Sequence, residues 1–202
     1  MRILLTGFEP FGGSALNPSQ QVVEQLAGKT TVQGLVLPVD GQQAPQVLLR
    51  AVDSFRPQAV VCLGEASRRA VISIERVAIN LLDYRIADNT GQIVTDLPVV
   101  PGGPAAHFVT LPVREMLRAV QVAGVPAELS LSAGAYLCNQ VLYTVLHHLA
   151  GSSVLAGFVH LPALPEQVAA GSERMPSMSL EADLRAVRAI LAVIEQAANS
   201  AI

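Results

Sequence analysis

The 202-residue chain has no tryptophan, only 4% aromatic residues, two cysteines and 14% charged residues. Each shortage excludes something. Lys and Arg number 13 against 16 Asp and Glu, a net charge of −3, so no basic face is available for a nucleic-acid backbone or an anionic membrane. The two cysteines and four histidines form no C-x-x-C or H-E-x-x-H arrangement, and neither a metal nor a cofactor is expected. Cys62 lies inside the apolar run Ala59-Val-Val-Cys-Leu63, which points to free thiols in a reducing, cytoplasmic setting. Long apolar runs are missing too. Residues 129–165 carry no Asp, Glu, Lys or Arg, yet Asn139, Gln140, His147, His148, Gly151, Ser152 and Ser153 interrupt them, and no apolar stretch of about 18 residues survives to span a membrane. The opening Met1-Arg-Ile-Leu-Leu-Thr-Gly7 lacks a long apolar core and reads as a first strand, not a signal peptide.

What is present is apolar residue in quantity, 51%, arranged in alternating strand-like and helix-like segments. Residues 2–6, 31–37, 58–63, 71–79, 126–131 and 154–160 read as strands, being short apolar or β-branched runs. A first helix is expected from Asn17-Pro18-Ser19, an N-cap with a proline at N1, to about residue 27. Others follow Asp40 to about residue 54, cover 112–123, follow Cys138, and cover 180–198, where Leu180, Leu184, Val187, Leu191 and Ile194 share a face. Residues 81–110 are rich in turns (Asp88-Asn89-Thr90-Gly91, Pro101-Gly-Gly-Pro104) and form a loop-rich excursion. No repeat or linker divides the chain. The pattern predicts one α/β domain over residues 1–202, with helices on both faces of a mostly parallel sheet. The low charged fraction leaves apolar surface that suits burial between subunits.

One cysteine sits where it can react. Small, turn-forming residues (Ser132-Ala-Gly134-Ala-Tyr136-Leu) precede Cys138, and Leu142, Val145, Leu146 and Leu149 follow at helical spacing. The thiol therefore falls in a first helical turn, where free N–H groups and the helix dipole lower its pKa from about 8.5. His160 ends the run 154–160, at the C-terminal end of a strand, where open α/β sheets carry their sites. A thiol and an imidazole are a nucleophile and its base, and a third group usually orients the base. Among 16 acids, Glu75 stands out because Val71-Ile-Ser-Ile74 and Val77-Ala-Ile79 flank it. A carboxylate in such a run needs a partner. Arg76 is adjacent, although consecutive strand residues face opposite ways, and other acids remain open.

Each of these residues also has a plainer role available. Cys138 suits a small core residue at a helix start and His160 a hydrogen-bonded strand end, while Cys62 reads as core. His147 and His148 fall in a helix without nearby acids, and His107 in a loop. The segment Thr6-Gly-Phe8-Glu-Pro-Phe11-Gly-Gly13 matches no phosphate-binding motif and holds no lysine. Its phenylalanines can wall a small, flat, uncharged pocket or simply pack the loop.

Several motifs occur in order over nearly the whole chain. They are Thr6-Gly-Phe-Glu-Pro-Phe-Gly-Gly13 with Asn17-Pro18, Glu75-Arg-Val-Ala-Ile-Asn80, Arg85-Ile-Ala-Asp-Asn89 with Gly91, Gly103-Pro-Ala-Ala106, Leu137-Cys-Asn139, and Gly157-Phe-Val-His-Leu-Pro162 with Leu164-Pro-Glu-Gln167. Together they resemble the pyroglutamyl peptidase I family, also called pyrrolidone-carboxylate peptidases. The resemblance implies a single three-layer α/β/α domain, commonly a homotetramer, that needs no cofactor and removes N-terminal pyroglutamate from small peptides. It implies a catalytic triad of Cys138, His160 and Glu75. It also implies aromatic walls at Phe8 and Phe11, and a backbone N–H near Arg85 that joins that of Cys138 in an oxyanion hole.

The chain departs from this family pattern in places. Ala87 replaces a common proline, Leu137 a frequent valine, and Glu65 stands where the family usually has Gln. Glu65 follows the strand 58–63 and counts among the substrate-binding positions. Its carboxylate is expected to turn away and pair with Arg68 or Arg69, leaving its backbone near the substrate. Two rival readings make different demands. A phosphate-dependent nucleoside enzyme would need basic residues in the first loop, which has none. A catalytically silent binding protein would keep the scaffold, with Glu65 as the damage.

Overall fold

The computed structural model describes residues 1–28, 31–170 and 174–199. Strand β1 (Ile3–Phe8) is buried at every position, Thr6 included, as a strand is when both faces of its sheet are covered. Helix α1 (Pro18–Leu26) starts as expected, Asn17 Oδ1 accepting the Ser19 N–H at 2.9 Å with Pro18 in the first turn. Then come β2 (Val32–Leu37), α2 (Gln43–Phe55), with Asp40 Oδ1 accepting the N–H groups of Gln42 and Gln43, and β3 (Ala59–Glu65). The chain continues with β4 (Ile72–Glu75), β5 (Val77–Ile79), β6 (Ala106–Phe108), α3 (Val113–Val122), β7 (Ala127–Ser130) and α4 (Leu137–His148). It ends with β8 (Leu155–Leu161), α5 (Pro165–Ala170) and α6 (Leu180–Asn199).

Six strands form the central sheet in the order β2-β1-β3-β8-β4-β7. All neighbours are parallel except β4 and β8, which is the mostly parallel α/β sheet that the alternation predicts. Side chains on each strand alternate between two cores. Ile3, Leu5, Val61, Leu63, Val159 and Leu161 meet α1, α3 and α6 on one face. Leu4, Val60, Cys62 and Phe158 meet α2 and α4 on the other. Among the described residues no helix is long and apolar enough to cross a membrane.

Three local expectations need correction. Residues 71–79 are two strands, not one. Arg76 N–H still bonds to Ser130 O, but Arg76 O accepts from Val109, and β5 goes on to pair with β6 as a separate antiparallel ribbon. No turn residue marks that break; pairing with two different partners makes it. The excursion 81–110 contains β6, so His107 is in a strand, not a loop. Helix α5 was not expected, although Pro165 at its start was an available signal.

The core beneath α6 contains one polar anomaly. Asp183, in the first turn of α6, is fully buried, and among the described residues neither carboxyl oxygen has a hydrogen-bond partner. Burial pushes its pKa up to about 8, against roughly 3.9 in an unfolded chain. Between those values unfolding releases a proton, so the group removes stability as pH rises from about 4 to about 8. Asp183→Asn, neutral and of similar size, is expected to match the wild type near pH 4 and to exceed it at pH 8 by roughly 3–5 kcal/mol in urea unfolding. Identical pH dependence in the two proteins would show that this carboxyl is not responsible.

Candidate active site

His160 is the next-to-last residue of β8, with Gly64 of β3 and Ser73 of β4 in register beside it. Because β4 runs antiparallel to β8, Glu75 lies two residues past Ser73 on the same face. It is a diagonal neighbour of His160, within reach of a long side chain. His160 Nδ1 donates to Glu75 Oε1 at 2.8 Å, and both side chains are buried. The same oxygen accepts Arg69 Nη1 at 2.7 Å, while Arg69 Nη2 donates to Ser132 O at 2.8 Å. The arginine that pairs with Glu75 is therefore Arg69 in the β3–β4 loop, not the adjacent Arg76.

Cys138 is the second residue of α4, so its backbone N–H is one of those that a first turn leaves without an intrahelical acceptor. The two amides that follow fix its position. Asn139 Oδ1 accepts the Ile79 N–H at 2.9 Å, and Asn139 Nδ2 donates to Ile79 O at 2.9 Å and Leu81 O at 3.0 Å. Gln140 Nε2 donates to Gly41 O at 2.8 Å, and Gln140 Oε1 accepts from Tyr84 Oη at 2.6 Å. Sequence reasoning missed both roles; two adjacent amides in an apolar helix were the signal. Below the thiol, Gly64 admits no side chain: a Cβ there would lie 2.9 Å from Cys138 Sγ and 2.7 Å from Phe158 Cζ.

Cys138 and His160 line one cavity of about 380 Å³ together with Phe11, Glu65, Arg69, Arg85 and Tyr136. Phe8 is buried and lies farther in. With Phe11 it bounds a narrow apolar recess of about 40 Å³ that also reaches Glu65, Tyr136 and Cys138. Glu75 lies behind His160. All seven sequence-predicted residues thus gather at one place. Tyr136 is an addition, its ring edge-on to Tyr84 at 4.8 Å and its hydroxyl donating to Ala87 O at 3.2 Å. An aromatic two residues before the cysteine, in a chain this poor in aromatics, was the available signal.

Glu65 differs from expectation. Its Oε2 accepts from Gln167 Nε2 at 2.9 Å, an amide that the unforeseen α5 supplies, while Glu65 lines the cavity and Arg69 is committed to Glu75. Gln167 Nε2 also reaches Ser14 Oγ and Leu16 O, each at 3.1 Å. The remaining histidines lie apart from the cavity. His107 Nε2 and His147 Nδ1 share a hydrogen bond at 3.1 Å. His148 does have an acid nearby, Asp53 of α2 at 2.9 Å, close in space though not in sequence.

Burial by itself raises the Glu75 carboxyl, but the hydrogen bond and charge of His160, with Ser130 and Arg69, outweigh it and hold the group below its usual value. Burial lowers His160, and Arg69 adds to that, against the opposing pull of Glu75. A carboxylate can only accept, so Nδ1 carries the imidazole proton and Nε2 is left as the basic nitrogen. Burial pushes the Cys138 thiol up to about 12, with Glu75 and Glu65 adding to the rise and Arg69 opposing it. This reverses the expected direction. A helix N-terminus supplies about 0.3–1 kcal/mol, less than one pKa unit, and does not offset burial. These shifts favour a thiol, a neutral imidazole and a carboxylate. Among the described residues no group of three or more His, Cys, Asp or Glu is placed to hold a metal ion.

Comparison with known proteins gives one answer. The family model described as pyroglutamyl peptidase matches residues 1–197. The pyrrolidone-carboxylate peptidase of Gloeobacter violaceus is 48% identical over 207 residues, covering 98% of this chain and 99% of that one. That of Vibrio vulnificus is 48% identical over 184 residues, covering 89% and 86%. The solved structure of the pyrrolidone carboxyl peptidase from Thermococcus litoralis superposes with a TM-score of 0.94 at 36% identity, covering 100% of this chain and 96% of that one. Fold and relatives together define a cysteine-type peptidase, a hydrolase. The chain belongs to the pyroglutamyl peptidase family.

Burial pushes both cysteines up to about 12, but Cys62 is wholly enclosed whereas Cys138 opens on the cavity. Brief iodoacetamide treatment is expected to alkylate Cys138 at least roughly tenfold faster than Cys62, read by peptide mapping. The ultraviolet spectrum at neutral pH should lack a thiolate band. A strong band there would mean that the helix terminus dominates burial after all.

Proposed function

We propose that the chain removes N-terminal pyroglutamate from peptides through a Cys138–His160–Glu75 triad and a thioester acyl-enzyme. The observation that carries this reading is the 2.8 Å His160–Glu75 hydrogen bond behind a cavity that Cys138 also lines. Because burial disfavours the thiolate, proton transfer to His160 Nε2 accompanies attack of Cys138 Sγ on the pyroglutamyl carbonyl. Glu75 stabilises the imidazolium that forms. Backbone N–H groups at Cys138 and near Arg85 receive the oxyanion, each worth about 3–4 kcal/mol. His160 returns the proton to the departing amine, then activates the water that cleaves the thioester.

A pyrrolidone ring has no charge to grip, so selection rests on shape and on the ring amide. Phe8, Phe11 and Tyr136 supply apolar walls, and Glu65 a polar contact held in place by Gln167. Two free cysteines accord with a cytoplasmic setting. The central sheet, with a core on each face, supports a single domain. Ile93, Leu97, Phe108, Val122 and Leu131 are large apolar residues left exposed, Phe108 by 71%, apolar surface that suits the homotetramer implied by the resemblance. Sedimentation of the wild type should reveal an oligomer, and Phe108→Asp should shift it toward smaller species; a monomeric wild type would reject this assembly.

The decisive assay uses a fluorogenic pyroglutamyl amide, with and without phosphate and with and without iodoacetamide. Hydrolysis should need no phosphate and be lost on alkylation. Cys138→Ser should be almost inactive yet folded, and Glu75→Gln should lower kcat by roughly 10²–10⁴-fold. The base must be neutral His160, whose pKa burial lowers, so the acidic limb of kcat/KM should lie below the ordinary imidazole value of about 6.5. Retained activity in Cys138→Ser would reject the thiol mechanism.

A further inference from the structure

We infer that Arg69 is a positioning residue of this site, one guanidinium that holds the Glu75–His160 pair in register with the loop delivering Cys138. The inference rests on the triad reading above and adds a fourth residue to it. Arg69 is not an ordinary surface cation. Its Nη1 donates to the very oxygen, Glu75 Oε1, that also accepts from His160. Its Nη2 donates to Ser132 O, in the loop between β7 and the start of α4. Two ends of one rigid planar fork therefore span the acid and the approach to the nucleophile. The side chain is 29% exposed while the Glu75 side chain is wholly buried, so the cation enters from the cavity wall.

Electrostatics give this contact a second consequence. His160 is hydrogen-bonded to Glu75 from β4, and Arg69 of the β3–β4 loop, Cys138 of α4, Glu65 at the end of β3, Arg68 and Arg85 line the same cavity. Of these, Arg69 is the cation bonded to the acid of the pair. It favours the anion at Cys138 and disfavours the cation at His160. It therefore keeps His160 available as a base and makes the imidazolium a readier donor to the departing amine. A residue that only braced the loop would alter stability or kcat without moving a proton equilibrium.

The test compares wild type, Arg69→Gln and Arg69→Lys by the pH dependence of kcat/KM on a pyroglutamyl fluorogenic amide, with folding checked by circular dichroism. Arg69→Gln should move the acidic limb upward by about half a pH unit or more, since His160 then binds its proton more readily. It should lower kcat by roughly tenfold or more with KM changed less than about threefold. Arg69→Lys should restore the limb, because the charge is back, but only part of kcat, because one ammonium cannot span both acceptors. An Arg69→Gln enzyme with the wild-type limb and kcat would overturn the inference, as would an Arg69→Lys limb displaced as far as that of Arg69→Gln. Should Arg69→Gln fail to fold, full wild-type kcat in Arg69→Lys would overturn it alone. A wild type inactive on the amide would reject the proposed function itself. An active wild type with indifferent Arg69 variants would reject only the role given to Arg69.

Discussion

A carboxylate with no exposed surface is tolerated at Glu75 because His160 and Arg69 both donate to it. Left unpaired, such an ion costs several kcal/mol and takes up a proton instead. Much of the surrounding architecture follows from that requirement. Strand β4 must lie next to β8 so that residue 75 reaches residue 160, and it does so as the one reversed neighbour in the sheet. The chain must leave β4 directly afterwards, at Arg76, to build the ribbon against which Asn139 anchors α4. The loop before β4 must bring Arg69 back over the same carboxylate. A single buried charge thus joins β4 to β8 directly and, through Arg69, to the β3–β4 and β7–α4 loops.

The contest between burial and the helix terminus shapes the chemistry. Thiols oxidise and alkylate mainly as thiolates. Under the proposed mechanism the Cys138 sulfur, its thiolate disfavoured by burial, reacts as fast as its access to the cavity and the transfer of its proton allow. In the proposed reaction the helix terminus contributes through its N–H groups, as donors to the charge developing on the substrate oxygen, more than through its effect on the sulfur. Glycine at position 64 belongs to the same design, because the sulfur occupies the space that any side chain there would fill.

The sheet and its two helical layers were legible because short apolar runs alternated with amphipathic ones from Ile3 to the end of α6. The break at Arg76 was not, since nothing local distinguishes that residue from its neighbours and only distant partners decide where β4 ends. Helix α5 is brief and buries no residue, so its periodicity carried little signal. At the site, the position of Cys138 in a first turn could be read directly, but the direction of its pKa could not. A dipole is visible in sequence, whereas desolvation depends on what the fold stacks around the sulfur. Glu75 announced itself as a charge in an apolar run, yet from residues alone it was one acid among several, and the family motif singled it out. The arginine chosen by that acid comes from a loop that brings Arg69 back in space, a matter of tertiary closure. Glu65 likewise took its partner from the one helix that the sequence did not reveal.

Gln167 joins pieces of chain that are made at very different times. Its amide reaches Ser14 and Leu16, more than 150 positions earlier, and Glu65, 102 positions earlier. Contacts of such long range close slowly, because the chain must lose much of its freedom before they can form. During synthesis, the first loop, the end of β3 and the start of α4 all exist before the residue that fastens the cavity wall. The wall cannot be completed until residue 167 has been made. A nascent or truncated chain can carry Cys138 while lacking this closure, and on the proposed reading substrate recognition is then among the last properties that the folding protein acquires.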